Sequence, residues 1–130
     1  MPLNINGTTG ISGVDGSASA PALQGSDSNT GVSFGTDTVN INTGGVTRAT
    51  VDSAGNLGIG STSPTDYNDA ADNLVVKGTG NTGITIATTN TASNTSLVFS
   101  DGTGDADSKF RGSVQYIHNG DVMRFLTASA

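Results

Sequence analysis

Short stretches in which apolar and polar residues alternate recur along the chain, and glycine-rich segments separate them. Alternate side chains of a β-strand lie on the same face, so this period of two residues predicts short strands with one apolar face each. The apolar pairs with this spacing are Val32 and Phe34, Val39 and Ile41, Leu57 and Ile59, and Ile84 and Ile86. Two apolar runs, residues 74–77 and 97–99, also predict strands. The pattern indicates an all-β fold of short antiparallel strands and hairpins.

The turn at residues 43–45 offers a choice of register. A three-residue loop would oppose Ile41 to Thr47 and keep the apolar side chains of both strands on one face. A two-residue loop would instead oppose Ile41 to Arg48. We therefore predict the three-residue register, with one of the two glycines of the turn at the position that requires a positive φ.

Asn119-Gly120 predicts a second hairpin, because this dipeptide is favoured in two-residue type I′ turns. On one face of the predicted hairpin, Val114 pairs with Phe125 and Tyr116 pairs with Met123. Four large apolar side chains would then share that face. On the other face Gln115 would meet Arg124, a combination suited to solvent or to a polar interface.

Residues 64–73 are the one segment in which a helical turn is expected. Proline is favoured at the start of a helix, which suits Pro64, and acidic residues are favourable in the first turn, which suits Asp66 and Asp69. Residues 101–109 are predicted to form a loop.

The first thirty residues have isolated apolar positions, among them Leu3, Ile5 and Ile11, between Gly and Ser residues. This pattern predicts an extended arm with at most one short strand. An arm of this kind usually needs a partner surface to order it.

The chain thus divides into three predicted segments. They are an N-terminal attachment arm at 1–30, a first β module at 31–64 that ends in a Gly-Ile-Gly strand, and a second β module at 65–130.

The apolar content is low for a self-sufficient domain. Leu, Ile, Val and Phe number 27 of 130 residues, a fraction at which a monomer barely offsets its chain entropy by burying apolar surface. The chain is rich in Gly, Ser, Thr, Asn and Asp and has no Glu, which disfavours a helical fold. Regular strand patterns argue against general disorder. We therefore expect the core to be completed by other copies of the chain.

Charge and composition exclude several partners. The net charge is −6, and the five basic residues are scattered, whereas nucleic acid binding requires a basic cluster. The chain has no Cys, so it has neither disulfides nor thiolate metal sites. The N-terminal segment has no basic start and no apolar run, so we expect neither a signal peptide nor membrane insertion.

Three acidic residues are weak candidates for a metal site. Asp101, Asp105 and Asp107 lie in the sequence DGTGDAD, and carboxylate oxygens are ligands for hard cations. The spacing is not that of an EF-hand loop, and the terminal Glu of such a loop is missing. Asp and Gly are common turn residues, so a solvated turn is the simpler interpretation.

No catalytic constellation is visible. His118 is the single histidine, but no nucleophile or orienting group accompanies it in the sequence. Gly55, Gly58 and Gly60 do not form a phosphate loop, since neither an apolar-periodic helix nor a Lys-Ser/Thr pair follows them. Tyr67 is a candidate for an exposed contact with a sugar, but single exposed aromatic residues are common. We predict no enzyme activity and no cofactor.

Residues 46–64 resemble a repeat of the tail-fibre and tail-spike-like structural proteins of tailed bacteriophages, notably those with marine and cyanobacterial hosts. That repeat has a strand with Arg and an aliphatic-Asp pair, a Ser-Gly-Asn turn, a Gly-Ile-Gly strand and a Ser-Pro stop. The matching residues are Arg48, Val51, Asp52, Gly55, Asn56, Leu57, Gly58, Ile59, Gly60, Ser63 and Pro64. Segments 73–88 and 97–125 also look like parts of such fibres.

The resemblance implies a structural protein of the virion with a homotrimeric, partly intertwined fold. A tail fibre that serves host adsorption is favoured over a capsid-surface fibre or decoration protein, and a carbohydrate-binding spike or adhesin is a further alternative. The arm would attach to another virion protein, and a host-surface glycan is a further candidate partner. The family's next repeat is missing after Phe125, so we expect the chain to continue beyond Ala130.

Glycines that flank Ile59 would let backbones approach closely where three strands meet near an axis, although strand glycines also simply relax a bent strand. The residues predicted to serve assembly are Leu3, Ile5, Ile11, Gly58, Ile59, Gly60, Val114, Tyr116, Met123 and Phe125.

Overall fold

The protein is all-β, as the alternating pattern predicts. The computed structural model describes residues 4–6, 10–12, 14–104 and 106–127, and the chain divides into two compact units, Met1–Gly83 and Ile84–Ala130. The strands are β1 (Asn4–Asn6), β2 (Gly10–Ser12), β3 (Leu23–Gln24), β4 (Gly31–Gly35), β5 (Thr38–Thr43), β6 (Val46–Val51), β7 (Leu57–Ile59), β8 (Leu74–Val76), β9 (Asn94–Phe99), β10 (Gly112–Ile117) and β11 (Val122–Thr127).

The first unit contains a six-stranded sheet, the first sheet, whose strands follow the chain order from β3 to β8. Neighbouring strands from β3 to β7 are antiparallel, whereas β8 runs parallel to β7. A parallel neighbour requires a crossover, which is the segment between Gly60 and Asn73. The helical turn expected there is a short 3-10 helix, Pro64–Asp66.

The hairpin of β5 and β6 differs from the predicted register. Thr43 pairs with Val46 across a two-residue turn, and both glycines of that turn have positive φ values, 58° and 73°. A register shift between Ile41 and Asn42 then places Ile41 opposite Ala49. The predicted three-residue loop is therefore wrong. A two-residue turn with a bulge at Arg48 also keeps the apolar side chains of both strands on one face.

The N-terminal segment has more strand structure than expected. β1 and β2 pair antiparallel, with Ile5 opposite Ile11, and β3 pairs with β4. The backbone N–H of Phe34 also donates to the carbonyl of Asp15 at 2.8 Å. The expectation of at most one short strand is wrong. Pairing with a neighbouring backbone segment forms these strands, although their apolar residues do not alternate regularly.

The second unit contains a three-stranded antiparallel sheet, the second sheet, with β10 between β9 and β11. The strand predicted at Ile84 and Ile86 is absent: this segment joins no sheet among the described residues. The loop predicted at 101–109 contains one helical turn, α1 (Ala106–Lys109).

The register predicted for the hairpin of β10 and β11 is confirmed. Val114 pairs with Phe125 and Tyr116 with Met123. The turn itself differs, since the positive φ values fall at Gly120 (102°) and Asp121 (53°) instead of at Asn119 and Gly120.

In the described ranges, no helix is long and apolar enough to span a membrane.

Candidate assembly surfaces

One face of the first sheet is made of apolar side chains across all six strands. Directly opposed residues of paired strands lie on the same face, so the registers define two cross-strand rows. The first row is Leu23, Val32, Ile41, Ala49, Ile59 and Val76, and the second is Phe34, Val39, Val51, Leu57 and Leu74. We call these eleven residues the apolar face.

No part of the described chain covers the apolar face sufficiently to bury it. Seven of its side chains keep between 36% and 53% of their surface exposed, namely Leu23, Phe34, Val39, Ile41, Val51, Ile59 and Leu74. Together they offer roughly 600 Å² of surface, at the upper end of the roughly 300–600 Å² of the largest apolar patch on a typical monomer. A patch of this size indicates an interaction surface.

The opposite face of the first sheet is polar, and it is the better covered of the two. Asn42 is 1% exposed; its Nδ2 donates to Ser33 Oγ at 2.9 Å, and its Oδ1 accepts from Thr47 Oγ1 at 2.9 Å. Thr50 Oγ1 donates to Asn40 Oδ1 at 2.8 Å. Because these buried polar groups satisfy one another, the sheet tolerates a polar inner face.

The bulge at Arg48 keeps the apolar face continuous. Without the extra residue, β6 would present Thr50 and Arg48 on the side where Ala49 and Val51 now lie. The Arg48 side chain stays exposed, and its Nε donates to Thr43 Oγ1 at 3.0 Å.

The turn after β6 is fixed by Asp52. Its Oδ1 accepts hydrogen bonds from the backbone N–H groups of Ala54 at 3.0 Å and Asn56 at 2.9 Å. Asn56 Nδ2 in turn donates to Asp72 Oδ2 at 3.1 Å, which ties this turn to the approach of β8. The spacing of Asp52 and Asn56 therefore has a structural basis within one chain.

The glycines on either side of Ile59 each make a close approach to their own chain. A Cβ at Gly58 would lie 2.3 Å from the Ser61 carbonyl oxygen and 3.1 Å from Pro64 Cγ. Gly60 has a φ of 72°, and a Cβ there would lie 2.2 Å from the Lys77 carbonyl oxygen. These contacts account for both glycines without a neighbouring copy, whereas Ile59 lies on the apolar face.

The second sheet has an apolar face of its own. The rows Leu97–Val114–Phe125 and Thr95–Tyr116–Met123 share one side of the sheet. A groove of about 270 Å³ lies over this side, with Ile84 and Ile86 in its wall. Its other lining residues are Thr95, Ser96, Leu97, Val114, Tyr116 and Met123.

His118 lies beside this groove, in the turn between β10 and β11. Its Nε2 is 3.4 Å from Thr95 Oγ1, and its ring meets the Tyr116 ring edge to face with the centroids 4.9 Å apart. The Tyr116 hydroxyl donates to Asp121 Oδ1 at 2.7 Å, and this bond raises the pKa of Tyr116 above its ordinary value of 10.0. These contacts hold the turn together; they contain no nucleophile paired with a base.

Of the three candidate metal ligands in the acidic loop, the structure describes the side chain of Asp101. Asp101 Oδ2 pairs with Arg111 Nε at 3.2 Å, and both side chains are well exposed. Asp105 lies outside the described residues, and Asp107 lies within α1. In the part of the chain that the structure describes, no group of three acidic or histidine side chains is placed to hold a metal ion.

The remaining predicted residues are placed as follows. Leu3 lies outside the described residues, and Ile5 and Ile11 are paired positions in the backbone register of β1 and β2. Tyr67 is 44% exposed, just after the 3-10 helix.

The sequence analysis missed the extent of the apolar face. Leu23 and Leu74 lie at its opposite ends, in short strands that lack the alternation used to find the others. These two residues can be assigned to the face only from the pairing of their strands with neighbouring strands, and the pattern within a single strand does not contain that information.

No protein-family model, curated protein or solved structure matches the chain.

Proposed function

We propose that this chain is a non-enzymatic structural module of a bacteriophage virion, a fibre part that assembles as a homotrimer. The observation that carries the proposal is the apolar face of the first sheet, which stays exposed in the part of the chain that the structure describes. The resemblance of residues 46–64 to phage fibre repeats supports the virion role, and the tail fibre stays the favoured location.

The energetics favour self-association. Among the described residues, Val75 is the one buried side chain of the Leu, Ile, Val and Phe set, with 7% exposed, so the chain gains little from an internal apolar core. Covering about 600 Å² of apolar surface at roughly 25 cal/mol per Å² contributes about 15 kcal/mol per copy before the cost of association. That cost is about 4–15 kcal/mol, and burial of the apolar face is the term that would offset it.

The chemistry of the apolar face also fits other copies of the same chain. All eleven residues of the apolar face are apolar. Interfaces of permanent homo-oligomers are more apolar than those of transient complexes. In the proposed fibre the copies turn their apolar faces inward, and their polar and charged loops face the solvent.

The N-terminal segment supplies the attachment to another virion protein in this proposal. The carbonyl of Asp15 accepts a hydrogen bond from the first sheet, and Leu23 belongs to that sheet. A deletion that spares the first sheet therefore has to end before residue 14. Removal of residues 2–13 should therefore abolish incorporation into particles and leave the fold of the remaining chain intact. Normal incorporation of the shortened chain would refute the attachment role.

The virion role is tested by locating the chain in a purified phage particle by cryo-electron microscopy with a tagged copy. Density on a tail appendage supports the tail fibre. Density on the capsid shell supports the capsid-surface fibre or decoration protein instead. Absence of the chain from particles that contain all other structural proteins would refute a virion function.

A further inference from the structure

Phe125 is the most exposed of the large apolar side chains in the described part of the chain. It keeps 80% of its surface exposed, although it lies within β11 and pairs with Val114. Transfer of an exposed phenylalanine ring from water to an apolar surface is favourable. A second surface that receives this ring would allow that transfer.

The groove over the second sheet has the size and lining to receive such a ring. It measures about 270 Å³, and aliphatic side chains such as Ile84, Ile86 and Leu97 line it. A cavity of about 150 Å³ already holds a benzene molecule, so a phenyl group fits with room for its methylene.

Phe125 and the groove are separate features of one face. Leu97, Val114 and Phe125 form a single cross-strand row, in which the first two residues line the groove and Phe125 does not. The ring therefore projects beside the groove at the edge strand of the sheet. The protruding ring and the recess are complementary in shape, so one copy can supply the ring and another copy the recess.

We propose that Phe125 of each copy inserts into the groove of the next copy, between Ile84, Ile86 and Leu97. This inference rests on the proposed self-association and assigns it a specific contact. A head-to-tail contact of this kind closes into a ring when the rotation between copies is one third of a turn, which gives the homotrimer.

The surface around this contact is large enough for a stable interface. Six apolar side chains of the second unit are each between 51% and 80% exposed, namely Ile84, Ile86, Leu97, Phe99, Met123 and Phe125. Together they offer roughly 750 Å² per copy, close to the roughly 800 Å² that each partner contributes to a standard interface. This surface therefore adds to the apolar face of the first sheet in the proposed assembly.

Photo-crosslinking from position 125 tests the contact directly. A chain of natural isotope content with p-azidophenylalanine in place of Phe125 is refolded together with the ¹⁵N-labelled unmodified chain and irradiated. We expect mixed-isotope products that join position 125 to the peptides around Ile86 and Leu97. The same probe in place of Val122, which lies on the opposite face of β11, should give no such product.

Truncation of the ring tests the energetic role. Since Phe125 is 80% exposed, Phe125→Ala should leave the fold of each chain unchanged. Removal of a central aromatic anchor raises the dissociation constant by roughly 30-fold or more. Val122→Ala, an exposed apolar truncation on the other face of the same strand, should change it less than about 3-fold.

The outcomes separate this inference from the proposed function. Crosslinks within one chain only, or dissociation of Phe125→Ala at the same concentration as the unmodified protein, would overturn the inserted ring while a trimer persists. A monomeric unmodified protein would overturn both.

Discussion

Gly58 and Gly60 show how single residues decide the path of the chain after β7. From the sequence, both were interpreted either as a close approach near a trimer axis or as relief of a bent strand, and the structure places the Ser61 and Lys77 carbonyl groups of the same chain against them. The pattern correctly indicated that a backbone passes nearby. It could not identify that backbone, because the same absence of Cβ serves contacts within and between chains.

Replacement of Gly58 should destabilise the first unit. Gly58→Ala places a methyl group against the Ser61 carbonyl and Pro64, and such overpacking costs roughly 1–3 kcal/mol. Gly80→Ala is the matched control, since a Cβ there meets nothing within 4 Å. The measurement is the free energy of unfolding from urea titration; equal values for the two variants would contradict the packing described.

Tyr116 should give the second unit a stability that is lost at high pH. Its pKa is raised, chiefly by the hydrogen bond to Asp121, so the folded state holds the phenolic proton more tightly than the unfolded state. The contribution is complete below pH 10 and disappears as the pH rises through the raised pKa.

Ultraviolet absorbance at 295 nm measures this titration in a Tyr67→Phe background, where Tyr116 is the sole tyrosine. Asp121→Asn should lower the pKa of Tyr116 towards 10. An unchanged titration curve in that variant would show that Asp121 does not set the shift.

At the scale of strands, the sequence was most informative where turns and alternation agreed. The β10–β11 register follows from the Asn119-Gly120 turn and the apolar pairs, and it is confirmed although the positive φ values lie one residue later. The β5–β6 register failed because a bulge changes the pairing without altering the pattern of faces. The Ile84 segment alternates like a strand, but alternation alone provides no neighbouring strand to pair with.

The polar inner face of the first sheet was not predicted, and Asn42 is its central residue. Asn42→Ala would leave the buried hydroxyl of Ser33 without its donor and remove the acceptor of Thr47. Loss of these bonds in a buried site should cost about 1–3 kcal/mol of stability.

Thermal unfolding followed by circular dichroism provides the measurement for Asn42. Asn29→Ala is the control, since Asn29 lies in a turn outside the polar face of the first sheet. It should change the stability by less than about 1 kcal/mol. If Asn42→Ala unfolded at the same temperature as the unmodified protein, the hydrogen bonds of Asn42 with Ser33 and Thr47 would not stabilise the fold.

At the scale of the whole molecule, the central feature is that the first sheet buries polar side chains and exposes apolar ones, the reverse of the usual arrangement in a globular protein. Among the described residues, the polar side of the first sheet is the buried side and its apolar side is the exposed one, which is the arrangement that the proposed assembly requires. The low apolar content leads to the same proposal, since 27 large apolar residues in 130 are few for a self-contained domain. The location of the surface required the strand order, which joins Leu23 and Leu74 to one face.

A charge placed on the apolar face should prevent assembly. Ile41→Asp puts a carboxylate in the middle of this face, and burying an unpaired charge there would cost far more than the packing gains. Ser53→Asp adds the same charge in an exposed turn and should not affect assembly. Sedimentation velocity compares the two variants, and retention of the oligomer by Ile41→Asp would exclude the apolar face as the interface.

Light scattering coupled to size-exclusion chromatography on the unmodified protein tests the central claim most directly. The proposed assembly predicts a particle with three times the 12.9 kDa mass of one chain, stable on dilution to micromolar concentration. A stably folded monomer at that concentration would contradict it.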